Sequence, residues 1–344
     1  MSRPLLDDDL NFVARGVDWD ELRGAHLFIT GGTGFWGRWL LETFAHANDT
    51  FQLGADATVL TRDRAAFAEK MPHLAAQPNL RFIEGDVRHC AHLTDEKFTH
   101  IIHAATASGA PAGEVSPREM FETILDGTRN ALEIAARCEA RRFLLASSGA
   151  VYGAQPPQLL SLTEQYSGAP VLDDARSAYG EGKRTAELLC RIFSEENGLS
   201  FSVARGFAFV GPHLPLDAHF AIGNFLRDAL RGGPIEINGD GTPLRSYLYA
   251  AEMSVWLWTI LLRGEAGRAY NVGSEHEFSI LEIAEAVAVQ FDPKPEIRIA
   301  STAPSGNIPS RYVPSTARAR EELGLRETMD LQEALRRTLK WLKQ

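Results

Sequence analysis

Short apolar runs alternate with amphipathic stretches through the first two thirds of the chain. "HLFIT", "ATVLTR", "LRFIEGDV", "THIIHAA" and "RRFLLAS" read as strands, and between them "WGRWLLETFAHA" and "REMFETILDGTRNALEIAARC" carry helical spacing. Strand then helix, repeated with short connections, predicts a parallel sheet covered by helices on both faces. Such a sheet holds ligands beyond the carboxyl ends of its strands. The alternation continues through a helix over 179–197 and the strand "FSVARGFAFVG". After about residue 212 glycine and proline become frequent ("GPHLPLD", "RGGP", "GDGTP") and the regularity decays. A smaller C-terminal lobe is expected there, interleaved with the first because no low-complexity linker separates them. The run "VWLWTILL" at 255–262 is far shorter than the roughly 20 residues that cross a bilayer, and predicts a buried helix.

The first strand runs into "TGGTGFWG", where Gly31, Gly34 and Gly37 form G-x-x-G-x-x-G at the start of the first helix. Glycine lets the backbone turn tightly and approach a pyrophosphate held at the positive helix N-terminus. Close helix–sheet packing alone is the alternative use. Arg38 and Trp39 stand where a Walker loop has Lys and Ser/Thr, which argues against nucleoside triphosphate hydrolysis. The fold class is therefore α/β, a Rossmann-type doubly wound parallel sheet. An N-terminal extension (1–24) precedes an NAD(P)-binding domain (25–212), and 213–344 form mainly a substrate-binding lobe with segments crossing back. A carboxylate at the tip of the second strand would accept from a ribose 2′-hydroxyl, whereas an arginine would face a 2′-phosphate. Here the strand ends in Thr61 and Arg62, which tilts the cofactor towards NADP, while Asp63 keeps NAD open. Asp86, after the third strand, either bonds an adenine amino group or caps a helix.

Composition narrows the partners. The 344 residues are 44% hydrophobic and 23% charged, as in an ordinary folded soluble protein. A net charge of −10 without a basic patch repels nucleic acid. Cys90, Cys138 and Cys190, odd in number and far apart, suggest reduced thiols and a cytoplasmic setting. No histidine pair has zinc spacing with a third ligand, so no metal site is expected. The acidic N-terminus lacks the apolar segment of a signal peptide, and no membrane partner is expected.

Candidate chemistry lies in two stretches. "SSGAVYG" (147–153) follows an apolar strand, and "YGEGK" puts Tyr179 and Lys183 one helical turn apart on one face. A lysine ammonium beside a phenol favours the phenolate and makes a tyrosine a usable acid/base. With "TGGTGFWG", "GDV", "HAA", "SSGAVYG", "YGEGK", "GDGTPLRSYLYAAEM" and "AYNVGS" in this order, the chain resembles the extended short-chain dehydrogenases/reductases, in particular the NAD-dependent epimerase/dehydratase family that modifies nucleotide sugars. The resemblance covers roughly residues 25–340.

The resemblance implies Tyr179 as the catalytic tyrosine, Ser148 bonded to the substrate hydroxyl or carbonyl, and Lys183 holding the nicotinamide ribose. It adds Phe35, Trp36, Val87, Ala104 and Ala105 to the cofactor contacts. Tyr152 then sits in the loop over the substrate, as a contact or as a packed aromatic. In the C-terminal lobe it implies Arg245 on the substrate diphosphate, with Asn224 and Arg311 as further contacts; a surface salt bridge is the alternative for each arginine. Relatives that dehydrate carry an Asp-Glu pair after the serine, whereas this chain has Gly149 and Ala150, which transfer no proton. Ala208 and Ile124 also replace family asparagines. The expected activity is epimerisation of a nucleotide-diphosphate sugar through a transient 4-keto sugar. NADPH-dependent 4-ketoreduction is the alternative, ahead of a dehydratase with relocated acid/base residues or a non-catalytic NAD(P) sensor. A homodimer through helices 117–139 and 179–197 is the family-level expectation.

Overall fold

The computed structural model describes residues 4–106, 115–218, 220–301 and 308–344. The apolar runs form β1 (His26–Thr30), β2 (Asp56–Thr61), β3 (Leu80–Glu84), β4 (His100–His103), β5 (Arg142–Ser148) and β6 (Phe201–Gly206). The short β7 (Phe209–Val210), β8 (Ile235–Ile237), β9 (Leu244–Ser246) and β10 (Leu248–Tyr249) follow, and β11 (Arg268–Val272) returns to the main sheet beside β6. The sheet runs β3-β2-β1-β4-β5-β6-β11 with every pair parallel. Strand order reverses between β1 and β4, and the crevice at such a switch point is where open α/β sheets hold ligands.

The helices are α1 (Asp7–Gly16), α2 (Phe35–Phe51), α3 (Arg64–Lys70), α4 (Pro72–Ala75), α5 (Pro117–Cys138), α6 (Ala178–Asn197), α7 (Ala221–Leu230), α8 (Ala250–Arg263), α9 (Ile280–Ala288), α10 (Ala317–Leu323) and α11 (Leu331–Leu342). A larger core joins α1, α2, α8, α9 and α11 to the sheet, and a second lies between the sheet and α5 and α6. Helices therefore cover both faces, and the strands bury side chains on both sides. The two long helices begin and end within one residue of the limits read from the sequence. Ser116 accepts from Glu119 N at the start of α5, and α6 stops at Gly198 with φ +70°. The run at 255–262 lies wholly buried in α8, and no described helix is long and apolar enough to cross a membrane.

Beyond β11 come β12 (Glu277–Ser279), β13 (Ile297–Ile299) and β14 (Arg311–Tyr312). They complete small sheets, β12-β9-β14 and β13-β8, while β7 pairs with β10. In the first of these Tyr312 lies opposite Arg245.

The acidic lead-in is built into the core rather than hung from it. Asp9 is fully buried, accepting from Tyr249 Oη (2.7 Å) and Arg337 Nη1 (2.7 Å). Leu5 N donates to the buried Glu42 (2.8 Å), and Trp19 packs on Trp258 with ring centroids 5.2 Å apart.

Candidate active site

The parallel sheet brings the ends of β1, β4, β5 and β6 to one edge, and the candidate residues converge there. Gly31 has φ +74°, and a Cβ on it would lie 2.4 Å from the Ala104 carbonyl carbon, so only glycine lets the first turn close onto the end of β4. A Cβ on Gly37 would lie 2.2 Å from Gly31 O. Gly34 is the N-cap of α2 and offers no side-chain cap, which leaves the first amides of α2 for an anionic ligand. These features fit the pyrophosphate of a dinucleotide. Trp36 reaches from α2 to the end of β6, meeting Phe209 edge-on at 5.5 Å, and Phe35 lies 6.4 Å from the same ring. Ala105 N donates to Thr30 Oγ1 (3.2 Å), which bonds His103 Nδ1 (2.7 Å). Burial, with Lys183 nearby, pushes the His103 pKa down to about 3, so this imidazole is neutral and structural.

At the ribose end, Arg62 is exposed at the tip of β2. Asp63 caps α3, accepting from Ala66 N (2.8 Å). Asp86 realises its cap alternative: Oδ1 accepts from Arg88 N (2.8 Å), and Arg88 engages both oxygens at 3.0 and 2.6 Å. That guanidinium holds the Asp86 carboxyl below its ordinary range. The adenine contact expected of Asp86 would have to compete with Arg88. Val87 turns its side chain towards Gly127 of α5, where an added Cβ would lie 3.0 Å from Val87 Cγ1.

Ser148 ends β5, largely buried, and its Oγ accepts from Ala150 N (3.1 Å) in the tight turn Gly149–Tyr152. The first turn of α6 packs directly on this turn, since a Cβ on Gly180 would lie 2.7 Å from Ala150 O. This brings the start of α6, with Tyr179 and Lys183 one turn apart, against the end of β5. Lys183 is buried, donates from Nζ to Ala146 O (2.7 Å), and has its pKa lowered to about 8 by desolvation, against the pull of Glu187. Glu187, one turn further along α6, accepts from Ser147 Oγ (2.5 Å) and pairs with Arg205 Nη2 (2.6 Å).

Tyr152 lies in the interior. It is 1% exposed, donates its hydroxyl to Asn271 Oδ1 (2.7 Å) and accepts from Arg205 Nη1 (2.9 Å). It has the burial of the packed aromatic of its two readings, because the turn after β5 directs it inward. Arg311 follows its ion-pair reading, with Nε 2.8 Å from Glu277 Oε2, so a phosphate contact would require breaking that pair. Asn224, on α7, has its Oδ1 engaged by Arg227 Nη1 (3.0 Å). Arg245 donates to Leu244 O (2.7 Å) and Ser310 O (3.4 Å) from the middle strand of its small sheet.

Tyr312 was missed in the sequence. Its hydroxyl lies beside Ser148 and in the field of Tyr179, and its ring packs tilted against Phe207 with centroids 4.6 Å apart. A Cβ on Gly149 would lie 2.5 Å from Tyr312 Oη and 2.8 Å from Phe207 Cζ. The space after Ser148 is thus filled from across the fold, and no acid fits at position 149 without displacing these rings. No sequence spacing joins residues 148 and 312. Glu187, four residues after Lys183 in a helix, was within reach of the spacing rule. Among the described residues no cluster of three or more His, Cys, Asp or Glu is placed to hold a metal ion.

Comparison with known proteins agrees with this geometry. The model of the NAD dependent epimerase/dehydratase family matches residues 27–273. UDP-glucuronic acid decarboxylase 2 of Arabidopsis thaliana is 30% identical over 91% of this chain and 67% of its own length. UDP-glucuronic acid decarboxylase 1 of Xenopus tropicalis is 28% identical over 92% of this chain and 72% of its own. Among solved structures, a dTDP-glucose 4,6-dehydratase from Streptomyces venezuelae with NAD bound superposes with TM-score 0.77 at 25% identity, covering 92% of this chain and 97% of the other. A UDP-glucose 4-epimerase from Thermotoga maritima shares the fold at TM-score 0.74 and 20% identity, covering 92% and 98%.

Proposed function

The chain belongs to the NAD-dependent epimerase/dehydratase family, and from that premise we propose that it is a nucleotide-sugar 4-epimerase acting through a transient 4-keto sugar. One observation carries the reading: Ser148 ends β5, Lys183 donates to Ala146 O two residues before it, and Tyr179 stands one helical turn before Lys183, while positions 149 and 150 hold no ionisable side chain. These are the groups for removing and returning hydrogen at one carbon, without the acid and base for eliminating water. A bound nicotinamide supplies the hydride acceptor and donor. Tyr179 takes the proton of the C4 hydroxyl, Ser148 holds the oxygen, and Lys183 stabilises the phenolate and binds the ribose. Tyr179 then returns the proton when the other face of the ketone has been reduced. Arg245 is assigned to the substrate diphosphate, a role that requires it to exchange its backbone carbonyl partners.

The exposed Arg62, beside an Asp63 committed to its helix cap, supports NADP over NAD. The buried free cysteines support a cytoplasmic setting. We further assign a homodimer through α5 and α6, on whose outer face Leu188 and Ile192 are 57% and 39% exposed.

A second reading is favoured by the decarboxylase relatives at 30% identity. Oxidation at C4 of a nucleotide hexuronic acid creates a β-keto acid, which loses carbon dioxide without a carboxylate base, so the same three residues suffice. The test is incubation with UDP-glucose, UDP-galactose, UDP-glucuronic acid and a UDP-4-keto-hexose, each with NAD, NADP or NADPH, followed by NMR and mass spectrometry. Inversion at C4 with unchanged mass is expected. Loss of carbon dioxide selects the second reading, and net consumption of NADPH on a 4-keto sugar replaces both with ketoreduction.

A further inference from the structure

We propose that Glu187 is a positioning residue which, clamped by Arg205, fixes the end of β5 through Ser147 and so sets where Ser148 stands relative to Tyr179 and Lys183. The inference rests on the reading of those three residues as the reacting set. Tyr179, Lys183 and Glu187 follow at four-residue spacing along one face of α6. Lys183 Nζ donates to Ala146 O at 2.7 Å, and Glu187 Oε1 accepts from Ser147 Oγ at 2.5 Å. Two successive turns of the helix therefore grip two successive residues of the strand, and the next residue is Ser148. The second grip is a hydroxyl on a carboxylate, a charge-assisted bond that is short and directional.

Arg205 fixes the carboxylate in turn. It lies opposite Ser147 in the pairing of β5 with β6, which sets the two side chains next to each other beneath α6. Its Nε donates to Glu187 Oε1 at 3.0 Å and its Nη2 to Oε2 at 2.6 Å, a two-pronged contact that leaves the carboxylate one orientation. Its Nη1 donates to Tyr152 Oη at 2.9 Å, and the guanidinium lies 4.9 Å from the centre of the Tyr152 ring. Tyr152 closes the turn that starts after Ser148, so one ion pair holds the chain on both sides of that serine. The pair is little exposed, at 14% for Glu187 and 15% for Arg205. Matched apolar side chains are often as stable as a buried ion pair, so the worth of this one lies in the direction it gives Glu187. A misplacement of about 1 Å at a reacting group costs about a hundredfold in rate, which makes such a brace matter to turnover.

The experiment is a mutant cycle on the full chain, using whichever of UDP-glucose, UDP-galactose, UDP-glucuronic acid and a UDP-4-keto-hexose is turned over. Ser147→Ala leaves the ion pair intact and removes only its link to β5. It should lower kcat by about tenfold, with KM and cofactor affinity within about twofold of the wild type. Glu187→Met with Arg205→Met removes the brace while keeping its bulk and leaving no unpaired charge, and should lower kcat at least as far. The decisive step adds Ser147→Ala to that pair: no further loss is expected, because the Ser147 hydroxyl acts only through Glu187. Thermal unfolding checks that each variant is folded; if the paired variant does not fold, the Ser147→Ala result decides alone. An unchanged kcat in Ser147→Ala, a loss shared equally by kcat, KM and cofactor affinity, or additive losses overturn the proposal and leave the parent reading standing. Wild-type turnover in Ser148→Ala, or no turnover of any of these sugars by the unmutated protein, overturns both.

Discussion

At the residue scale the proposed cycle depends on Tyr179 and Lys183, and burial sets the protonation of the lysine. Tyr179 is the acid/base of the proposed cycle, and such groups contribute about a hundredfold to ten-thousandfold. Tyr179→Phe should therefore lose turnover by at least about a hundredfold. Cofactor affinity, measured by fluorescence titration with NAD and NADP, should change little. Lys183 predicts the alkaline limit. Desolvation has brought its pKa down to about 8, so the ammonium loses its proton as pH rises through that value. Turnover should fall on the alkaline side of about pH 8, and a rate that stays flat to pH 10 would remove the ammonium from the mechanism. The Tyr179–Lys183 pairing was legible in the sequence because four residues of helix suffice to make it. Tyr152 shows the opposite case: the same "VYG" string is compatible with a tyrosine facing the substrate or the core, and Arg205 and Asn271 decide for the core.

At the element scale, α8 carries the most informative buried charge. Glu252 is 1% exposed at its first turn, and its Oε1 accepts from Thr328 N, Thr328 Oγ1 and Met329 N. Among the described residues its Oε2 has no hydrogen-bond partner. Burial raises this carboxyl from 4.5 to about 7. Between those values the folded chain holds a proton that the unfolded chain has released, so this residue's contribution to stability falls as pH rises across the window. Glu252→Gln cannot ionise, and should match the wild type near pH 4.5 and exceed it at pH 8 by on the order of 3 kcal/mol. Urea unfolding at the two pH values measures the difference; an equal gap at both would refute the assignment. The apolar pattern foretold the helix, but not that a glutamate at its start would be closed over by the segment before α11.

For the whole molecule, the parallel sheet and its covering helices follow from the alternation of apolar runs, and their order places the turns that carry the candidate residues at one edge. The assembly is tested on α6. Leu188→Glu with Ile192→Glu adds charge to the face assigned to the dimer, and light scattering should report a shift from dimer to monomer. An unchanged dimer would move the interface elsewhere, and a wild type that is already monomeric would remove it. The acidic lead-in gains its meaning only at this scale. Asp9 and Leu5 are bonded to side chains of α11, β10 and α2, so α1 is part of the larger core.

The sequence by itself determined the sheet, the long helices, the glycine turn and the Tyr179–Lys183 face, because each depends on periodicity or on residues a few positions apart. Tertiary structure alone decided which partners the candidates find. Tyr312 comes to Ser148 across 164 residues through the pairing of β14 with β9. Asp86, Asn224 and Arg311 find protein partners in Arg88, Arg227 and Glu277. Long-range pairing and competition for hydrogen bonds have no signature in local spacing, and it was these that shaped the site.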